Sequence, residues 1–513
     1  MFANASHCGF TYLAFFSINI KRFTMSGSLL FACLTLLITG LVGQANLAQA
    51  ATKVEALYQA QCAGCHEKGA NRFSLSTSKK DVSTLQAAIA SGNSAKGMPA
   101  FSNLAAQDIL ALAVLSREKA TRNSQSDSGA NSSLITRTHS ALGYEILFEP
   151  LAKLDGTLWS LDFISGSPLK NESPNQLSLL VTSKEGKLFY LPVERKSPND
   201  TKASLTLGNA ITIKGIPPVH VDNQGGLMEV AVLKQNDPDS WVYLSYSEPK
   251  SKVSSKALTA IARGKIVGDT WTKAETIHRF DLSFYTSASY HYGSRIALSD
   301  EYLYFSVGDR GKQDQAQDIF RPNGKVHRLR LDGTVPKNNP FVKNKKAIAS
   351  IYTFGNRNPQ GLAIDPQGRI WEAEHGPRGG DEINLIKPGV NYGWPKITYG
   401  INYNGTPITD KTHEQGMAQP AHYWVPSIAV SDIDFYQGEL FPSWKGKLLV
   451  TGLKSQDLRL LTIANERVVA EEVVINDVGR LRDVKVHADG SIWLALNHDG
   501  QGYIARISAN TRK

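Results

Sequence analysis

Cysteine is scarce in this chain: four in 513 residues, at positions 8, 33, 62 and 65. Cys8 and Cys33 fall in a stretch that reads as a removable leader. Only Cys62 and Cys65 then remain, which excludes a disulfide framework. Acidic residues are absent from residues 1–50. Within that stretch Lys21 and Arg22 precede an apolar run, Leu29 to Val42, and Ala48-Gln49-Ala50 supplies a small-x-small cleavage pattern. These features predict a secretory signal over 1–50, with Met25 as an alternative start, and an exported, periplasmic chain beginning near Ala51. The apolar run is shorter than a bilayer span, so a membrane anchor is expected only if the signal stays uncleaved. Long basic runs are lacking as well. The net charge of +10 comes from Lys and Arg spread along the chain, which argues against nucleic acid as a partner and leaves a basic surface suited to acidic redox partners.

Helical periodicity is rare beyond residue 140, which argues against an α/β nucleotide fold. One Gly-x-Gly-x-x-Ala, from Gly500 to Ala505, stands at the C-terminus with no room for a βαβ unit. What recurs instead is a turn followed by a short apolar-aromatic strand. The copies begin at Glu185, Asp239, Asp300, Gln367, Lys445 and Asp489. Six such units predict a six-bladed β-propeller, an all-β domain over 141–513; a pair of sandwiched sheets is the competing reading. A single blade cannot bury both of its faces, so the ring has to close. Residues 121–140 are rich in Ser, Thr and Asn and predict a linker that holds the preceding domain close to the propeller.

Residues 51–120 carry a different signature. Cys62-Ala63-Gly64-Cys65-His66 is C-x-x-C-H: two thiols one turn apart attach both vinyl groups of a haem, and the adjacent imidazole meets the iron. A zinc site would need a second Cys pair, and a redox C-x-x-C would need a βαβ context; neither is there. Met98, in Gly97-Met98-Pro99-Ala100-Phe101, is the expected second axial ligand, and a thioether there raises the haem potential. Val54, Leu57 and Tyr58 before the motif, and Ile109, Leu112, Ala113 and Leu115 after it, repeat at helical spacing. The segment resembles class I cytochrome c, which implies an N-terminal all-α cytochrome c domain with haem c.

Three further motifs are specific. Phe354-Gly-Asn-Arg357-Asn358-Pro359-Gln360-Gly361 leads into Glu374-His-Gly376-Pro377-Arg-Gly-Gly-Asp381-Glu382, and then into Asn391-Tyr392-Gly393-Trp394-Pro395. Together they resemble the soluble pyrroloquinoline quinone (PQQ) sugar dehydrogenases, especially the aldose sugar dehydrogenase branch, over about residues 141–510. The resemblance implies His291 as catalytic base, oriented by Asp309. Gln224 would contact the cofactor, and Arg357 and Asn358 would lie beside its quinone carbonyls. Lys454, Arg480 and Arg482 would hold its carboxylates, and Trp424 would wall the quinone. Gly376 and Pro377 would offer backbone carbonyls to the calcium ion (Ca2+) that also binds PQQ, and Glu382 and Tyr392 would form a second calcium site.

Elementary chemistry agrees with that list. PQQ is a flat tricarboxylate and needs fixed cations, which arginine forks supply. Calcium prefers oxygen ligands and polarises carbonyls. A neutral histidine can take a hydroxyl proton. The expected activity is oxidation of an aldose sugar to a lactone, with electrons passing to the chain's own haem and then to a downstream acceptor. Tyr290 and Tyr292 flank the base with more bulk than is usual in the family's soluble glucose enzymes, so a different polyol or a sorbosone-like aldehyde is an alternative substrate. A non-catalytic binding propeller is the other alternative, and it predicts loss of the base and the cations, all of which are present.

Overall fold

The computed structural model describes residues 54–60, 62–66, 82–92, 98, 100–124, 134–165, 177–195 and 205–510. The expected signal and the middle of the expected linker lie outside them, as does the side chain of Cys65. The C-terminal part is a ring of six antiparallel sheets. Blades two to five have four strands each and begin at Leu227, Ile296, Pro359 and Val430. Blade one runs from Leu158 to Leu207, with Ile211–Thr212 paired at its side. Blade six takes Arg480–Val486, Ile492–His498 and Gln501–Ala509 from the C-terminus, then Tyr144–Leu154 and Arg137–Ala141 from the other end of the domain. The pairing of Tyr144–Leu154 with Gln501–Ala509 closes the ring, so no blade is left with an open face.

Five of the six sequence repeats form the second strand of a blade; the Glu185 copy forms the third strand of blade one, after Leu177–Ser183. Aromatic residues of the repeat fill the clefts between blades. Trp371 meets Phe435 of the next blade at 6.1 Å, and Trp493 meets Phe163 of blade one at 5.8 Å, both edge-on. Innermost strands such as Leu227–Val232 are buried at every position. Each blade is covered on both faces, so the alternation of a one-sided sheet is lost.

Polar residues of these inner strands meet at the centre of the ring. Arg295, just before the inner strand of blade three, pairs with Glu229 of blade two at 2.5 Å, Asp483 of blade six at 2.6 Å and Asp432 of blade five at 3.4 Å. It also donates to the carbonyls of Gln360 and Arg482. One arginine thus ties five blades together where backbone pairing cannot reach.

The N-terminal domain is helical where described. The helix Ala106–Ser124 continues into the expected linker. Its predicted apolar face, Ile109, Leu112, Ala113 and Leu115, is buried, but so are Leu110, Ala111 and Val114 on the other side. The apolar cluster that contains all of these residues also takes in residues of the propeller. Tyr399, Ile401 and Val425 belong to the same apolar cluster, and Tyr423 packs against it. Among the described residues no helix is long and apolar enough to cross a membrane.

Candidate active site

His291 sits in the segment that enters blade three, in a left-handed conformation at φ 57°. That conformation is costly for a side chain other than glycine and persists only where its surroundings impose it. Here they do. The His291 amide donates to Gln224 Oε1 at 2.8 Å. Its carbonyl lies so close to Gly308 that a Cβ on that glycine would stand 2.3 Å away. The imidazole Nδ1 donates to Asp309 Oδ1 at 2.7 Å, and Asp309 Oδ2 accepts from the indole of Trp394 at 2.8 Å. This fixes the tautomer and leaves Nε2 as an acceptor. Burial and then the positive Arg357 push the His291 pKa below its ordinary value, against the pull of Asp309. Burial disfavours the Asp309 carboxylate, but its hydrogen bond and charge interaction with His291, and the charge of Arg357, keep its pKa low. The pair therefore holds a neutral base beside an ionised carboxylate.

The expected cofactor cations surround this pair. Arg357 is buried. Its amide is held by the Glu374 carboxylate, and its Nη1 donates to the carbonyls of His375 at 3.0 Å and Gly376 at 2.8 Å. Its guanidinium lies over Trp394, 5.2 Å from the ring centre. Arg482 lies over Trp159 at 4.4 Å. Burial, Arg480 and Arg295 together push its pKa down to about 9. Arg480 and Lys454 are exposed at the rim, and Arg480 Nη1 reaches the Leu453 carbonyl at 3.4 Å. None of the four cations forms an ion pair with a described carboxylate. Arg357 Nε, Arg482 Nε and His375 Nε2 are buried without a hydrogen-bond partner. Buried donors left open in this way are what a bound polycarboxylate would satisfy, so the residues present fit PQQ.

Asn358 turns its side-chain oxygen to the Gly293 amide at 3.1 Å, which places it beside the His291 turn. The Gly376 amide donates to Asp381 Oδ1 at 2.9 Å, and the Gly376 carbonyl is engaged by Arg357. Glu382 and Tyr392 border one small cavity, of about 10 Å³, together with Glu374 and Thr398. The Tyr392 hydroxyl is occupied, donating to Leu385 O at 2.7 Å and accepting from the Lys387 amide at 2.9 Å. Next to the cavity, Asn384 Nδ2 donates to Glu372 at 3.1 Å and Glu382 at 3.2 Å. Burial, then the charge of Glu374, raises the pKa of Glu372 and of Glu382, and burial holds Glu374 at about 7. Among the described residues no three acidic or imidazole side chains are arranged as a ready metal site. Yet Glu372 Oε1 and Asn384 Oδ1 are buried and unsatisfied, and a hard cation would relieve both them and the crowded carboxyls.

Trp424 is not brought to His291. Its indole donates to Glu471 at 2.8 Å and packs in the core between blades four and five. Trp394, Trp159 and His375 are the residues that sequence reading passed over. Trp394 and His375 were visible inside the quoted motifs, whereas nothing near Trp159 in the sequence marked it. In the helical domain the Cys62 thiol is buried, His66 ends the helix Ala63–His66, and Met98 packs against the cluster that contains Cys62. That placement fits a haem enclosed by the three.

A closed six-bladed ring, with a histidine–aspartate pair under uncompensated cations and a helical domain seated on it, defines a propeller built to hold an anionic group beside a base. The comparisons agree. The glucose/sorbosone dehydrogenase family model matches residues 168–506, and a model described as cytochrome c oxidase, cbb3-type, subunit III, matches residues 49–114. The chain belongs to the glucose/sorbosone dehydrogenase family and carries an N-terminal cytochrome c domain. It is 33% identical over 355 residues to the aldose sugar dehydrogenase YliI of Escherichia coli (strain K12), covering 68% of this chain and 89% of that protein. The apo crystal structure of the soluble E. coli aldose sugar dehydrogenase superposes with a TM-score of 0.62 at 32% identity, over 71% of this chain and all of the other. The PQQ-bound aldose sugar dehydrogenase of Streptomyces coelicolor shares the fold, with a TM-score of 0.52 at 24% identity, over 72% and 99% of the two chains.

Proposed function

We propose that this protein is an exported, periplasmic quinohaemoprotein that oxidises aldose sugars to lactones with PQQ and calcium and passes the electrons to its own c-type haem. The observation that carries the reading is the His291–Asp309–Trp394 relay beside Arg357 and Arg482, two buried guanidinium groups that form no ion pair among the described residues. When bound, PQQ supplies a two-electron acceptor next to the base. His291 Nε2 takes the proton of the anomeric hydroxyl, and Asp309 stabilises the imidazolium that results. Arg482 would hold a carboxylate from a dry interior, where charged hydrogen bonds are strongest, and Arg357 and Asn358 would lie beside the quinone carbonyls. Arg480 and Lys454 close the same charge from the rim. Calcium would rest on the carbonyls of Gly376 and Pro377, with a second ion at Glu382 and Tyr392. Cys62, Cys65, His66 and Met98 would hold the haem, from which electrons leave to a downstream acceptor.

Equilibrium dialysis of the haem-loaded chain against PQQ, with and without calcium, tests the cofactor. Haem absorbance across a sugar panel then tests the reaction. Retention of PQQ and sugar-dependent haem reduction are expected; a chain that ignores PQQ with calcium present overturns the enzyme reading.

A further inference from the structure

The long excursion between the third and fourth strands of blade four, residues 387–421, has two working sides. One carries Trp394 to Asp309. The other carries Tyr399 and Ile401 to the helical domain. Tyr399 stacks flat on Tyr423, with ring centres 3.8 Å apart and planes 8° from parallel. The Tyr423 hydroxyl accepts from the Val82 amide at the start of the helix Val82–Ser91, at 3.2 Å. Beside the stack, Arg378 grips Glu118 of the helix Ala106–Ser124 with its Nη2 at 2.7 Å and its Nε at 2.9 Å. Glu118 is almost fully buried there, at 4% side-chain exposure. Arg378 directly follows Pro377, and its backbone pairs in both directions with Ile401. The segment that lines the cofactor cradle is therefore the one that holds the cytochrome.

We propose that this contact is the electron-transfer docking site for the chain's own cytochrome, closed by the Glu118–Arg378 pair and the Tyr399–Tyr423 stack and opened by salt. The proposal rests on the quinohaemoprotein reading above. At each docking event the ferric haem iron gains one electron and the reduced propeller cofactor loses one. Two events complete one sugar oxidation, its two protons pass to water, and an external one-electron oxidant re-oxidises the haem between events. A single forked ion pair suits a contact that must form and release: it fixes orientation, and its attraction over distance falls as the screening length shrinks from about 30 Å in 0.01 M salt to about 3 Å in 1 M.

The test compares the wild-type chain with Glu118→Gln, Glu118→Arg and the charge swap Glu118→Arg/Arg378→Glu, each checked for a native haem spectrum. Three readouts are taken: sugar-driven haem reduction with PQQ loaded, sugar oxidation with a small artificial dye, and the radius of gyration by solution X-ray scattering without PQQ. Glu118→Arg is expected to slow haem reduction by about tenfold or more, with Glu118→Gln intermediate. Both should leave dye-linked oxidation near the wild-type rate and expand the particle, and the swap should restore speed and compactness. High salt should expand the wild type in the same way. Wild-type haem reduction and wild-type scattering in Glu118→Arg, or a swap that restores neither, would overturn the docking site. If the wild type takes up no PQQ, the quinohaemoprotein reading fails, while scattering still decides whether Glu118 and Arg378 hold the domains together.

Discussion

Arg295 and Arg482 are neighbours with opposite surroundings. Arg295 donates through Nη2 to the backbone carbonyl of Arg482 at 2.7 Å. Yet Arg295 lies among three carboxylates, Glu229, Asp432 and Asp483, which raise its pKa against the cost of burial. Arg482, one residue before Asp483, has an indole face, an unsatisfied Nε and no ion-pair partner among the described residues, and its pKa is pushed down. The first arginine is neutralised by the fold and belongs to the fold. The second is left uncompensated, and the protein carries that cost at neutral pH, because a cation with a folded pKa below its free value is penalised at every pH below the folded value. A charge the ring needs for itself is paired; the charge proposed to meet the cofactor is not. The Arg357 guanidinium likewise rests on two carbonyls and an indole face, with no ion pair among the described residues, although the Glu374 carboxylate holds its amide.

The sharpest way to break this contrast is to remove each arginine in turn. Arg295→Met leaves three buried carboxylates with only Lys485, 4.0 Å from Glu229, for a cation and should destabilise the chain by about 3–5 kcal/mol in chemical denaturation. Arg482→Met should leave the melting temperature of the PQQ-free protein unchanged or higher; a large loss there would mean that Arg482 is structural after all. His291→Ala comes next: sugar oxidation should fall by about 10²–10⁴-fold, with the haem spectrum intact and PQQ still bound in dialysis. Arg482→Met should weaken PQQ binding by about 10–100-fold, the worth of a hydrogen bond to a charged group, measured by the same dialysis. The smallest effect is on pH dependence. Because burial and Arg357 lower the His291 pKa, the base stays neutral below pH 6.5, the ordinary histidine value. The acidic limb of kcat/KM should therefore lie below that pH. Asp309→Asn removes the interaction that raises the His291 value, so the limb should move lower still while the rate drops. A limb above 6.5 in the wild type would contradict the surroundings described for His291.

Much of the molecule was legible in advance. Six turn-strand repeats announced six blades because each blade reuses one solution: a polar turn, then apolar and aromatic residues to wedge against the next blade. The blade-one copy was displaced by a strand because the pattern identifies a strand, not its rank within a sheet. Closure by Tyr144–Leu154 was less visible, since pairing between the two ends of a domain leaves no local mark. The candidate cations and the candidate base could be picked from short motifs. Trp159, some 320 residues before the arginine it supports, could not, and Trp424 was placed by analogy where the fold turns it toward Glu471. The helix Ala106–Ser124 was read as one-sided, whereas Leu110, Ala111 and Val114 are buried too, in a cluster that joins residues of the helical domain to Tyr399, Ile401 and Val425 far along the chain.

By itself the sequence determined what depends on local chemistry: the haem attachment motif, the strand and turn periodicity, and the types of residue that bind an anion or take a proton. The tertiary structure alone decided which charges are paired, which aromatic faces lie under which arginines, and where the cytochrome sits. Pairing and burial depend on distances between residues far apart in the chain, and an arginine reads the same in sequence whether a carboxylate or an indole faces it.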